Sequence, residues 1–240
     1  MVTEKPRMIC VVGRTCSGKD SLTSKAILNA NTTLSNFHIA REDLNTDGPF
    51  KPVTSYTTRK MRPEETDGKE HYFITNKEYE EKYKDTLKLA YTEIGQTKYF
   101  VTDEQIKDML EAGYIPVYII DPNGLRNMIS ILSTVDTQSD LAKRHLYIIH
   151  IKAEYEERMA RYISRSYKDK PIKSKMIKSF LDRDESEDEN FSDFEKLMFT
   201  SETKDYNIIK PDITIDNTRP DRFGINVQIM SNIFQLIYNS

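Results

Sequence analysis

A glycine-rich segment near the start of the chain has the residue types and the spacing that bind phosphate. It follows an apolar run at residues 8–12 and reads Gly13-Arg14-Thr15-Cys16-Ser17-Gly18-Lys19. Glycines let consecutive backbone N–H groups turn toward phosphate oxygens, and the lysine brings a positive charge to the outer phosphates. The bare pattern also fits a structural turn. The apolar strand before it and the helix-forming segment after it favour a phosphate loop that holds ATP.

Asp20 departs from the usual pattern of such loops, in which a serine or threonine at this place offers a hydroxyl to magnesium. A carboxylate also suits Mg²⁺, because hard cations prefer oxygen ligands. An acidic residue in the first turn stabilises a helix N-terminus as well. Both roles, metal ligand and helix cap, stay open for Asp20, and Ser21 is the second candidate ligand of Mg²⁺.

A second segment with anion-binding chemistry contains Arg59 and Arg62, three residues apart in a stretch that ends at Pro63. The forked guanidinium group makes bidentate contacts with phosphate oxygens, and two such groups on a constrained loop suit a dianionic phosphate. A solvated basic turn is the alternative interpretation. The phosphate loop upstream favours the binding of a second, acceptor phosphate.

The elements that must position these residues alternate between strand and helix. Apolar runs predict strands at residues 8–12, 115–120, 146–151 and 213–215, and helical spacing of apolar residues predicts helices at 21–29, 125–132, 153–163 and 227–237. This alternation predicts an α/β fold with a parallel sheet. Residues 50–104 break the pattern, with short strand candidates at 53–57 and 71–75, so they are predicted to form an inserted subdomain. The core then consists of residues 1–49 and 105–240.

Composition restricts the function classes. The chain has 35 Lys and Arg against 38 Asp and Glu, a formal charge of −3, which gives no general attraction to an extended nucleic acid. No apolar run approaches the roughly 20 residues of a membrane helix. The two cysteines, Cys10 and Cys16, build neither a disulfide framework nor a zinc pattern, so a cytoplasmic location is expected. Cys16 lies beside loop N–H groups and a helix N-terminus, which predicts a reactive thiolate.

The stretch from Thr54 to Phe73 closely resembles the monophosphate-binding segment of the guanylate kinase family. The resemblance implies a three-layer P-loop kinase core with a parallel sheet, an inserted NMP-binding subdomain and a lid at about residues 165–182. By that resemblance, Ser55 and Thr58 approach the acceptor beside the two arginines. His71 stands where the family has the first of its phosphate-binding tyrosines, and Tyr72 comes one place later.

Weaker matches follow along the chain. The run Tyr99-Phe100-Val101-Thr102 resembles Tyr-Tyr-Gly-Thr of the family, which implies acceptor contacts for Tyr99, Phe100 and Thr102. Asp121 and Asn123 match part of its Asp-x-Gln-Gly. The guanine-reading glutamate of the family falls on Tyr91 by ungapped counting, with Glu93 nearby. Glu93 and Asp121 are therefore the two candidate carboxylates for the base.

Arginines of the lid are expected to contact the phosphates in transfer. Arg165 and Arg183 are the candidates by resemblance, as catalytic residues together with Lys19. The acidic stretch at residues 182–195 is interpreted as a solvated helix face. Asn217, which follows the last strand, is expected at the adenine of ATP.

The sequence thus predicts a nucleoside monophosphate kinase that transfers the γ-phosphoryl group of ATP, its co-substrate, to GMP or dGMP with Mg²⁺. One alternative is a kinase of another nucleotide or small molecule, because the base-reading position is blurred. A second is a non-catalytic guanylate-kinase-like binding module. Lys19 and the loop glycines are retained, which disfavours the non-catalytic binding module.

Overall fold

The structure, a computed structural model, describes residues 8–37, 48–135, 146–166, 174–196 and 211–239. A five-stranded sheet forms the centre of the fold, and each of its strand pairs is parallel. Its strands are β1 (Met8–Val12), β2 (Phe50–Pro52), β7 (Ile115–Ile119), β8 (Leu146–Lys152) and β9 (Ile213–Asp216), in the spatial order β2-β7-β1-β8-β9. The predicted α/β fold with a parallel sheet is confirmed.

Helices cover both faces of this sheet. They are α1 (Lys19–Phe37), α3 (Asp103–Glu111), α4 (Pro122–Val135), α5 (Tyr155–Ser166), α6 (Ser174–Lys196) and α7 (Phe223–Asn239). Side chains alternate along a strand, so Ile9 and Val11 pack in a core with α1 and α7. Cys10 and Val12 pack in the opposite core with α3, α4 and Phe191 of α6. Three layers result, as predicted.

A smaller, four-stranded sheet lies between β2 and α3 in the chain. It has the order β4-β3-β6-β5 and contains β3 (Tyr56–Thr57), β4 (Tyr72–Phe73), β5 (Lys88–Ile94) and β6 (Thr97–Thr102), with the short helix α2 (Asn76–Glu78) after β4. An aromatic cluster holds it together: the ring of Tyr56 stacks on Phe100 at 5.2 Å and lies 4.8 Å from Tyr83. Below, this unit is called the small sheet.

The boundary of the insertion differs from the predicted position before residue 50. Phe50 pairs with Ile115 in the central sheet, is 2% exposed and packs on Phe234 of α7 at 5.1 Å between ring centroids. The core strand β2 therefore precedes the small sheet. The predicted lid includes residues 167–173, which lie outside the described residues. Among the helices that the structure describes, none is long and apolar enough to cross a membrane.

Candidate active site

A cavity of about 720 Å³ opens at the carboxyl end of the central sheet, between the phosphate loop and the small sheet. Many of the predicted site residues meet there although they are far apart in sequence. Those that line it are Thr15, Cys16, Lys19, Asp20, Ser55, Arg59, Arg62, His71, Tyr99, Asp121, Arg165 and Arg183. Crevices at the carboxyl edge of an α/β sheet are where such folds bind ligands.

Both glycines of the phosphate loop are required by close contacts. A Cβ on Gly13 would lie 2.6 Å from the Ile151 carbonyl oxygen, and one on Gly18, whose φ is +87°, would lie 2.5 Å from Nδ2 of Asn217. Cys16 has a φ of 61° without being glycine. The left-handed conformation costs a residue with a Cβ about 1–2 kcal/mol. The loop therefore stores backbone strain at Cys16.

The ammonium group of Lys19 folds back over the loop. Its Nζ lies 3.4 Å from the Arg14 carbonyl oxygen and 4.0 Å from Oδ2 of Asp20, and its side chain is 19% exposed. Ser17 is buried within the loop, and Ser21 is exposed on α1 outside the cavity lining. The positive charge of Lys19 is thus held at the cavity wall beside the Asp20 carboxylate.

The back of the loop is braced by side chains. Nδ2 of Asn217 donates to the Ser17 carbonyl oxygen at 2.8 Å, and its Oδ1 accepts from Asn226 at 3.1 Å. Arg161 donates to the same Ser17 oxygen at 2.9 Å and to the Asn217 carbonyl oxygen at 2.6 Å. Asn217, expected at the adenine, is buried in this network, where it supports the loop from behind.

One side of the acidic stretch of α6 contacts the phosphate loop. Glu187 accepts a hydrogen bond from the backbone N–H of Thr15 at 2.8 Å and a second from its hydroxyl. Arg14 points away from the cavity and pairs with Asp188 at 2.5 Å. The interpretation of this stretch as a solvated face was wrong for Asp184 and Glu187, which lie against Arg14 and Thr15. It holds for Asp182 and Glu185, which are exposed.

On the side of the cavity opposite the phosphate loop, Arg59 and Arg62 converge on Glu65. Both terminal nitrogens of Arg59 lie 2.8 Å from the two carboxylate oxygens of Glu65, which also accepts from the backbone N–H of Arg62 at 2.8 Å. These charge-assisted bonds lower the pKa of Glu65 to about 2. The carboxylate fixes the loop that carries both arginines.

His71 occupies the cavity wall between the arginines and β6. Its Nδ1 lies within hydrogen-bond distance, 2.9 Å, of Oγ of Ser55, and its ring contacts Tyr99 edge-on at 5.8 Å. Burial, and then the positive charge of Arg59, lower the pKa of His71 below its usual value. This shift favours the neutral imidazole.

Of the two carboxylates predicted to read the base, Asp121 lines the cavity and Glu93 does not. Oδ2 of Asp121 accepts from the hydroxyl of Thr92 at 2.8 Å. Glu93 is exposed and accepts from the hydroxyl of Tyr91 at 2.6 Å. Alternation along β5 explains the difference, since Tyr91 and Glu93 share one face of the strand and Thr92 lies on the other.

Several predicted acceptor residues have structural contacts outside the cavity lining. Tyr72 packs against Tyr56 with 5.0 Å between ring centroids, and Phe100 is fully buried in the aromatic cluster. The hydroxyl of Thr58 accepts from the Lys98 N–H, that of Thr102 caps α3 at Gln105, and Asn123 donates to Asn190. Together these residues shape the small sheet and its junction with the core.

The prediction of a reactive Cys16 thiolate was wrong. Arg165, Lys19 and Arg183 favour the charged form, but burial outweighs them and the pKa of the Cys16 thiol is raised above its usual value. These electrostatic interactions place three cationic side chains around the phosphate loop on the cavity side. That arrangement is suited to holding a polyphosphate.

Comparison with known proteins decides the family. The family model "Guanylate kinase" matches residues 5–197, well over half of the chain. The chain belongs to the guanylate kinase family. Guanylate kinases of Lactobacillus delbrueckii subsp. bulgaricus and Rickettsia prowazekii are 38% identical over 80 residues and 32% identical over 90 residues.

These segments cover 33% and 38% of this chain and 39% and 46% of the two relatives, so less than half of each relative is spanned. The crystal structure of guanylate kinase from Anaplasma phagocytophilum superposes with a TM-score of 0.52 at 14% identity, over 97% of this chain and 86% of that one. The structural match shows the same fold.

Sequence reasoning missed three residues of this guanylate kinase family member that organise the cavity: Glu65, Thr92 and Glu187. The signal for Glu187 was present, because Asp184, Glu187 and Asp188 recur at helical spacing and so share one face. The partner of Glu187 in the loop, Thr15, is 172 positions away, which no local pattern can reveal.

Proposed function

We propose that the protein transfers the γ-phosphoryl group of ATP to GMP or dGMP. The observation that carries this proposal is that two phosphate-binding groups face one cavity. Lys19 and the phosphate loop form one wall, and Arg59 and Arg62 form the other. A volume of about 720 Å³ lies within the range of roughly 300–1,000 Å³ typical of small-molecule sites.

The chemistry assigned to the protein is positioning and charge neutralisation. Phosphoryl transfer needs little covalent help, and catalysis comes from holding donor and acceptor in line while cations stabilise the moving charge. Lys19, Arg165 and Arg183 line the side of the cavity next to the phosphate loop. We assign them to the donor phosphates, and we assign Arg59, Arg62 and His71 to the acceptor phosphate.

Mg²⁺ fits the residues at the loop. The Asp20 carboxylate lines the cavity next to Lys19, and its side chain is 77% exposed, so it is accessible to a hydrated cation. Mg²⁺ commonly binds through one or two carboxylates together with substrate phosphates. When bound, the ion neutralises charge on the phosphates. We propose Asp20 as its ligand, because the exposed Ser21 side chain lies outside the cavity lining.

The base of the acceptor is assigned to the region of Asp121. A carboxylate accepts from both N1–H and the exocyclic amine of guanine, a pattern that adenine does not offer. The Thr92 hydroxyl bonded to Asp121 holds that carboxylate in one orientation. We therefore propose that Asp121 gives the preference for guanine, since Glu93 lies on the other face of β5.

The test is a set of initial rates with Mg-ATP and equal concentrations of GMP, dGMP, AMP, CMP, UMP and dTMP. We expect GMP and dGMP to be phosphorylated far faster than the others. Lys19→Met tests the role of the lysine charge, because methionine fills similar space without the charge. This variant should fold but nearly lose phosphoryl transfer. Wild-type turnover in Lys19→Met, or a clear preference for a pyrimidine nucleotide, would overturn the proposal.

A further inference from the structure

The helix α6 presents one row of carboxylates to the phosphate loop. Asp184 and Glu187 have side chains that are 13% and 18% exposed, whereas Glu185, on another side of the helix, is exposed. Positions three and four apart on a helix share a face, so Asp188 belongs to the same row. Specific contacts therefore hold this row, although Asp188 at its edge is 64% exposed.

The central contact of this row joins Glu187 to Thr15. The carboxylate accepts from both the backbone N–H and the hydroxyl of Thr15, with the N–H bond at 2.8 Å. Thr15 lines the cavity one residue before the strained Cys16. Hydrogen bonds from two atoms of one residue to one carboxylate fix both its position and its rotation.

Arg14 forms a second attachment beside the first. Its guanidinium lies 2.5 Å from Asp188 and 3.8 Å from Asp184, and it stacks over the ring of Phe191 at 5.3 Å. Phe191 is 3% exposed and belongs to the core beneath α4. The loop is thus anchored to α6 at two consecutive residues.

Arg183 lies one turn before Glu187 on α6 and lines the cavity. Its Nε is 3.5 Å from Oε1 of Glu187, the oxygen that also accepts from the Thr15 hydroxyl. Glu187 therefore stands between the phosphate loop and the arginine assigned to the transferring phosphate. No other described carboxylate contacts both Thr15 and Arg183 in the structure.

We propose that Glu187 is a positioning residue that couples the phosphate loop to α6 and holds Arg183 at the donor phosphates. The proposal rests on the phosphoryl-transfer function given above. Glu187 acts through Thr15 and Arg183 without touching substrate. The loop and the guanidinium then move as one unit, so phosphate bound by the loop meets Arg183 in a fixed geometry.

A carboxylate this close to bound phosphate has a possible opposite effect, competition with the nucleotide for the Thr15 N–H. The two effects have different signatures. A positioning residue supports kcat, so its loss lowers kcat with little gain in ATP affinity. A competing anion weakens ATP binding, so its loss tightens binding and leaves kcat unchanged.

The experiment compares Glu187→Ala, Glu187→Gln, Arg183→Ala and the double variant Glu187→Ala/Arg183→Ala with the wild type. Glu185→Ala is the matched control, because it removes a carboxylate from the same helix without touching the loop. Steady-state kcat and the KM for ATP are measured with GMP as acceptor. Hydrogen exchange of the Thr15 amide is measured in the nucleotide-free protein.

Glu187→Ala should lower kcat by about 10- to 100-fold, the cost of misplacing a group at the reacting centre, and Glu187→Gln should recover part of it through its remaining oxygen. In the Arg183→Ala background, Glu187→Ala should change kcat by about twofold or less, because the two residues act as one unit. Glu185→Ala should behave as wild type. The Thr15 amide should exchange at least about 10-fold faster in Glu187→Ala.

Additive effects of Glu187→Ala and Arg183→Ala, or tighter ATP binding with unchanged kcat in Glu187→Ala, would overturn the positioning role. Equal exchange of the Thr15 amide in wild type and Glu187→Ala would overturn the contact itself. The exchange measurement needs no turnover. A wild type without GMP kinase activity would therefore remove the proposed function, while the exchange data still decide whether Glu187 holds the loop.

Discussion

Arg59 and Glu65 form a two-point ion pair in which each carboxylate oxygen lies 2.8 Å from a different terminal nitrogen of the guanidinium. Arg62, three residues on, is held less tightly: its Nη1 is 3.6 Å from Glu65 and its side chain is 55% exposed, against 18% for Arg59. The two arginines assigned to the acceptor phosphate therefore differ. Arg59 organises the loop, and Arg62 can reorient toward a ligand.

The difference predicts separate effects of the two alanine variants. Arg62→Ala should raise the KM for GMP and lower kcat without changing stability. Arg59→Ala should do the same and also destabilise the fold by about 1 kcal/mol, because it leaves Glu65 without its main partner. Steady-state kinetics and urea unfolding measure the two effects, and the KM for ATP should stay constant. A rise in the KM for ATP with GMP binding intact would contradict the assignment.

His71 should report the arrival of the acceptor phosphate. Its pKa in the free protein is below the usual 6.5, so between that lowered value and 6.5 the unfolded chain binds more protons than the folded one. The contribution of neutral His71 to the stability of the folded protein is therefore fully present above pH 6.5. It is lost as the pH falls through the pKa of His71 in the folded protein. His71→Asn should remove this part of the pH dependence.

A phosphate dianion near the ring favours the imidazolium, so GMP should raise the pKa of His71. NMR titration of the imidazole with and without GMP measures the change. A pKa that GMP leaves unchanged would place the acceptor phosphate away from His71.

The positive φ at Cys16 predicts that glycine is more stable than alanine at this position, the reverse of the usual order. At a φ of 61° alanine keeps the steric conflict of a Cβ, whereas glycine adopts this conformation readily. Cys16→Gly should therefore be more stable than Cys16→Ala by about 1 kcal/mol, even after the extra entropy of glycine in the unfolded chain. Thermal and urea unfolding of the two variants give the comparison. An alanine variant of equal or greater stability would show that the loop is not strained at this residue.

Substitutions of Asp121 and Glu93 should differ in their effect on the preference for GMP over AMP. Asp121→Asn keeps the size of the side chain but replaces one acceptor oxygen by a donor, so the ratio of kcat/KM for GMP to that for AMP should fall by about 10- to 100-fold. Glu93→Gln should leave the ratio unchanged, because Glu93 faces away from the cavity. The reverse pattern would mean that β5 presents its other face to the base when nucleotide binds.

Strong local signals predicted most of the central layer. The apolar runs at residues 115–120 and 146–151 became β7 and β8, and the loop glycines marked the start of α1. The strand β2 was missed because it has three residues, Phe50-Lys51-Pro52, of which Phe50 alone is buried. Its place in the sheet is decided by the contact of Phe50 with Phe234 and Tyr238, which no sequence window around residue 50 contains.

For the cavity, the sequence predicted which residues take part better than it predicted which way their side chains point. Arg59, Arg62 and Asp121 were identified from their chemistry, and they line the cavity. Glu93 was chosen as the carboxylate nearest to Tyr91, the position reached by ungapped counting, but strand alternation turns it outward. The acidic row of α6 was assigned to solvent, because a carboxylate with a distant partner and one facing water look alike in sequence.

The central position of β1 governs the order in which the protein can acquire its structure. Cys10 on this strand lies opposite Tyr118 on one side and Ile148 on the other. Both partners are more than a hundred residues further along the chain, and contacts of such separation form slowly because closing long loops is entropically unfavourable. The phosphate loop is synthesised before β7 and β8, which flank its strand in the sheet. It gains a rigid support only after β8 has been synthesised and has docked, so nucleotide binding appears late in folding and cannot guide its early steps.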